Sequence, residues 1–162
     1  MNLTNKSLPL PIQVIYRFSY ALNLHQGAKK TCNNGDARIE QTGLPTFLLI
    51  GFSLENAFAA YLIACEHQPH ADYKKHDILK AMAACARYGL VFSKRDQAFI
   101  AALNPHHKDF IFRYPEKMDR IDIGSMRDAL AVTQNILRDV DVGLKIKGFN
   151  VGELSKELPD DG

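Results

Sequence analysis

The chain has 162 residues, 46% apolar and 23% charged, with 20 basic and 18 acidic side chains for a formal net charge of +2. That length holds one domain with a substantial core rather than two. The composition excludes wholesale disorder, and the nearly cancelling charge excludes the strongly basic footprint of a duplex-DNA binder.

From the N-terminus, "MNLTNKSLPLPIQVIYRFSY" carries no uninterrupted signal-peptide hydrophobic region, because prolines and Arg17 break it. After Pro9 and Pro11, helical spacing places Ile15, Phe18 and Leu22 on one face, with Val14 and Ala21 beside them, and Gly27 as a stop. A polar, turn-rich loop is expected over about 28–43, with Asn34-Gly35-Asp36 at its tip. A second helix over about 45–66 is apolar nearly all round and is therefore the expected central helix. It has the length of a membrane span, but Ser53, Glu55 and Asn56 lie at its middle, where a carboxylate costs about 2.5–3.5 kcal/mol in lipid. A helix buried in a bundle accounts for the same residues, and no membrane is expected.

"HDILKAMAACARYG" predicts a third helix with Ile78, Met82 and Cys85 or Ala86 inward and Gly89 as its C-terminal cap. "SKRD" at Ser93 and "SMRD" at Ser125 are helix start signals. The first opens a fourth helix carrying Phe99, Ile100 and Leu103 and ending at Asn104-Pro105. The second opens a long last helix with Met126, Leu130, Ile136 or Leu137, Val140 and Leu144 inward, ending near Gly148. Residues from about 149 to 162 read as a frayed tail. The expectation is a single all-α domain over 1–162, an up-and-down bundle of four to five helices. Cys32, Cys65 and Cys85 form no CxxC pair, so a reducing cytoplasm is the expected location.

Glu55 is the most informative residue. A carboxylate buried on an apolar helix is paired, hydrogen-bonded or protonated, and the alternative is that it reaches the rim of the bundle and meets water. Candidate partners are His76, beside Asp77 at the start of the third helix, and Arg113, whose neighbours Phe110, Phe112 and Tyr114-Pro115 would anchor and aim it. Arg113 also reads as a plain surface arginine at a turn. "CEHQPHADYKKH" offers Cys65, His67, His70, Asp72 and His76 as metal ligands, but it lacks a second half-site and reads as a solvated linker. His106-His107 is a weaker signal still. No metal and no cofactor is expected; neither a Gly-rich phosphate loop nor a dinucleotide fingerprint is present in the sequence.

The same residues resemble the HEPN family, the higher eukaryote and prokaryote nucleotide-binding domains. "GFSLENAFAAYLIA", "HDILKAM", "RDQAFIAAL" and "FRYP" follow in order, over about residues 44–145. Members show a Gly-aromatic-x-x-Glu helix, a His-Asp-Leu helix start and an Arg-Tyr-Pro corner. These fall on Gly51, Phe52 and Glu55, on His76, Asp77 and Ile78, and on Arg113, Tyr114 and Pro115.

The resemblance implies a small helical bundle that binds a nucleotide, RNA or protein partner as a homodimer. Many members are metal-independent ribonucleases with an Arg-x4-6-His motif. Here Arg17 to His25 leaves seven residues between and Arg95 to His106 leaves ten, so the motif is missing and its roles are not carried over. The expected polar node is Glu55, Asn56, His76, Asp77, Arg113 and Tyr114. The expected function is non-catalytic binding. The rivals are a divergent toxin-type ribonuclease using His76 and Arg113, and a protein–protein scaffold.

Overall fold

A computed structural model of the protein describes residues 8–33, 39–67, 75–109 and 123–154. The described residues are helical, without strands. The elements are α1 (Leu10–Asn33), α2 (Ile39–Ala64), α3 (Ile78–Arg87), α4 (Lys94–Lys108), α5 (Met126–Ile146) and a single turn, α6 (Val151–Leu154). The protein is an all-α helical bundle.

α2 is its centre, packing against α1, α3, α4 and α5. Ile50, Leu54, Ala57, Phe58, Ala59, Ala60 and Leu62 are all fully buried, as its all-round apolarity requires. Gly43–Ala64 has the length and hydropathy of a membrane span, yet 67% of its apolar window is buried against protein. Three of its described polar residues face neighbours on α1. Thr46 meets Thr31 Oγ1 at 2.9 Å, Ser53 Oγ donates to the Ala21 carbonyl at 2.7 Å, and Asn56 Oδ1 accepts from Arg17 Nη1 at 2.9 Å. Those three pairs run in opposite chain directions, so α1 and α2 form an antiparallel hairpin.

α1 differs from its expected form in two ways. Its buried stripe is Val14, Ile15, Phe18, Ala21, His25 and Ala28, while Leu22 is 39% exposed, one step off that stripe. The helix also runs through Gly27, so the loop expected over about 28–43 is helical at both ends, and 34–38 lie outside the described residues. Gly27 stays helical because α2 lies against it: a Cβ there would sit 3.5 Å from Leu49 Cδ1.

The punctuation of α3 to α5 follows local chemistry. Asp77 caps α3 by accepting from the Lys80 amide. Gly89, at φ +96°, closes it: its N–H donates to Ala86 O, and Leu90 N–H donates to Cys85 O. Ser93 and Asp96 form a reciprocal capping box on α4, and Ser125 caps α5. Ser93→Ala is expected to lower stability by about 1 kcal/mol, read as a fall in the urea midpoint at unchanged slope.

Two further differences lie at helix ends. α4 continues through Pro105 to Lys108, because the extra turn buries His107 in the core. The tail is ordered at its start, where Phe149 packs on the core and Val151 is buried in α6; 155–162 lie outside the described residues.

A buried histidine joins α1 to α5. His25 Nε2 lies 3.1 Å from Gln134 Oε1, the same oxygen that accepts from Lys29 Nζ at 2.6 Å. Burial, then the adjacent Lys29 charge, push the His25 pKa below its ordinary 6.5 despite the Gln134 contact. The unfolded chain therefore takes up a proton that the folded one refuses, and stability falls as pH drops below about 6.5. The slope from this one group is at most about 1.4 kcal/mol per pH unit. His25→Gln is expected to flatten the urea-midpoint profile relative to the parent over that range; identical profiles would contradict the assignment.

Candidate functional site

Three elements deliver side chains to one point. Glu55 projects from the middle of α2, His76 stands immediately before the Asp77 cap of α3, and His107 lies in the last turn of α4. His76 Nδ1 and His107 Nε2 each lie 2.8 Å from the same carboxylate oxygen, Glu55 Oε2. An ionised carboxylate only accepts, so both ring nitrogens must carry the donated proton. The Glu55 side chain is 12% exposed, His107 fully buried and His76 34% exposed. The node thus has a dry end and an end that reaches the surface.

Packing fixes the rings. Phe52 meets both histidines edge-on, with centroids 5.0 Å from His107 and 5.9 Å from His76. Gly51 provides the space for His107, since a Cβ there would fall 2.3 Å from His107 Nδ1. That nitrogen is buried and has no hydrogen-bond partner among the described residues. His76 takes a left-handed backbone at φ +56°, a conformation that costs a non-glycine residue of order 1 kcal/mol and persists only where surrounding contacts impose it.

Burial pushes the Glu55 carboxyl up, but hydrogen bonds from His107 and His76, together with their charges, outweigh it and hold the pKa below its ordinary value. Next door, Asp77 caps α3 and accepts from Lys108 Nζ at 2.8 Å, while Asn104 Oδ1 accepts the Leu79 amide at 3.1 Å. The last turn of α4 is thereby tied to the first turn of α3. Burial alone would raise the Asp77 pKa, yet Lys108, the Lys80 amide and Asn104 bring it below normal.

No family model, curated protein or solved structure matches the chain.

Of the expected node, Glu55, His76 and Asp77 come together. Asn56 does not: it faces α1, bonded to Arg17 and to the Phe52 carbonyl, because successive residues on a helix point about 100° apart. Arg113 and Tyr114 lie outside the described residues, and so does the Arg113 partner expected for Glu55. The histidine-rich string divides. His67 turns to the Tyr88 hydroxyl at 3.0 Å, His76 turns to Glu55, and His70 and Asp72 lie outside the described residues. His107 takes a place that the sequence reading did not give it. The signal available was Gly51, a glycine one turn before Glu55 in an apolar helix, which marks close approach of a bulky group.

Proposed function

We propose that the chain is a non-catalytic HEPN-like helical module that binds a nucleotide or RNA as a cytoplasmic homodimer, with the Glu55 node as its organising centre. One observation carries this reading: both described motif pieces of the resemblance converge on a single constellation. Gly51 admits the ring of His107, Phe52 packs on both imidazoles, Glu55 accepts from both, Asp77 caps α3, and Ile78 is fully buried. The exposed lysines 75, 80 and 108 rim this end of the bundle, which suits an anionic ligand. The test is fluorescence anisotropy with ATP and with a short single-stranded RNA. Binding should weaken with added salt and with Arg113→Ala or Lys75→Glu. A protein that binds neither probe, or sediments as a monomer throughout, would retire this reading.

The divergent ribonuclease is the second reading, favoured by one carboxylate orienting two imidazoles, one of which reaches the surface. Cleavage of total RNA under chelation, lost in His76→Ala and Arg113→Ala, supports it. An inert protein removes it.

A further inference from the structure

We infer that Glu55, His76 and His107 form a binding site for one divalent transition-metal ion of the zinc class, linking α2, the segment before α3 and the last turn of α4. The inference stands apart from the nucleotide-binding reading and does not depend on it.

The donor atoms already lie within 4.8 Å of one another. Two imidazole nitrogens and one carboxylate oxygen suit zinc, cobalt, nickel or iron(II), whereas magnesium and calcium prefer all-oxygen shells. Ligands about 2.0–2.1 Å from a tetrahedral ion stand roughly 3.4 Å apart. The two 2.8 Å contacts must therefore open by about half an ångström, which small side-chain rotations supply. Three protein ligands also leave one coordination position for water or a ligand, and His76 marks the exposed side of the site.

Features beyond the donor set point the same way. The three ligands come from separate elements, so no single helix face explains their meeting. Gly51 removes the one Cβ that would displace His107. His76 is held at φ +56°, with its ring edge-on to Phe52. Strained backbone concentrates at such ligand clamps.

Binding exchanges two N–H···O hydrogen bonds for three bonds to the metal. Each imidazole then carries its proton on its other nitrogen, Nδ1 in His107 and Nε2 in His76. At His107 that nitrogen faces Gly51 with no acceptor among the described residues. A missing outer partner lowers metal affinity by about 10–100-fold, so the site is of moderate affinity.

The test uses the full chain, stripped with chelator, dialysed and titrated with Co2+ and Zn2+. The expected result is a visible d–d absorption on adding one equivalent of Co2+, its loss on adding Zn2+, and a Tm raised by several degrees in excess Zn2+. Glu55→Gln and His76→Ala should each abolish the absorption and the Tm rise, while His106→Ala, one residue from the node, keeps both. Far-ultraviolet circular dichroism checks that the variants are folded, and His76 is exposed enough that its replacement serves if Glu55→Gln does not fold. A parent protein that gives neither signal overturns the proposal, and so do signals that survive in His76→Ala. RNA or nucleotide binding bears on neither readout.

Discussion

Gly51→Ala is expected to destabilise the protein by about 3 kcal/mol, the upper end for overpacking a core, although alanine is intrinsically the better helix former. The added methyl would fall 2.3 Å from Nδ1 and 2.9 Å from Cγ of His107, a ring that is itself fully buried and hydrogen-bonded. Either the ring leaves the node or α2 and α4 move apart. Two other helical glycines, one within α1 and one in the last turn of α5, serve as controls. At Gly27 the methyl would meet Leu49 Cδ1 at an ordinary 3.5 Å, so Gly27→Ala should stabilise by up to about 1 kcal/mol from helix propensity. At Gly143 it would meet Tyr61 Cε2 at 2.7 Å, and Gly143→Ala should destabilise. Urea midpoints of the three variants give the ranking. A Gly51→Ala protein as stable as Gly27→Ala would mean that His107 does not occupy the place described.

How much of this was legible in the sequence depends on how local each signal is. Asp77, Gly89, Ser93, Ser125 and Gly148 act within one turn of their own position, through a cap or a left-handed φ, and each ends or begins a helix where local chemistry places it. Gly27 and Pro105 are equally strong local signals, and both were overridden. Gly27 packs against Leu49 across the hairpin, and Pro105 is carried inside α4 because the turn beyond it buries His107 against Glu55. Neither contact can be read from neighbours in the chain. The acid in the apolar middle of α2 announced that something must satisfy it, which is a property of Glu55 and its own stretch of chain. Which groups satisfy it depends on packing across 21 residues to His76 and 52 to His107, and sequence spacing is silent on the second.

His107→Ala is expected to lose about 3–5 kcal/mol, from a ring-sized cavity and the loss of one charge-assisted hydrogen bond to Glu55. His107→Phe separates the two contributions, since it keeps most of the volume and should lose only the hydrogen bond, about 1.5–3 kcal/mol. The decisive readout is the titration of Glu55. In the parent, burial raises its pKa and the two histidines more than offset that rise. Without His107, burial is opposed by His76 alone, so the carboxyl should titrate higher, visible in the side-chain carboxyl 13C shift. A depressed folded-state pKa contributes stability that is present above the unfolded value of about 4.5 and lost as pH falls through the folded value. The stability gap between parent and His107→Ala should therefore narrow as pH is taken below about 4.5. A gap independent of pH, with Glu55 titrating unchanged, would reduce His107 to a space-filling ring and remove the node as an electrostatic unit.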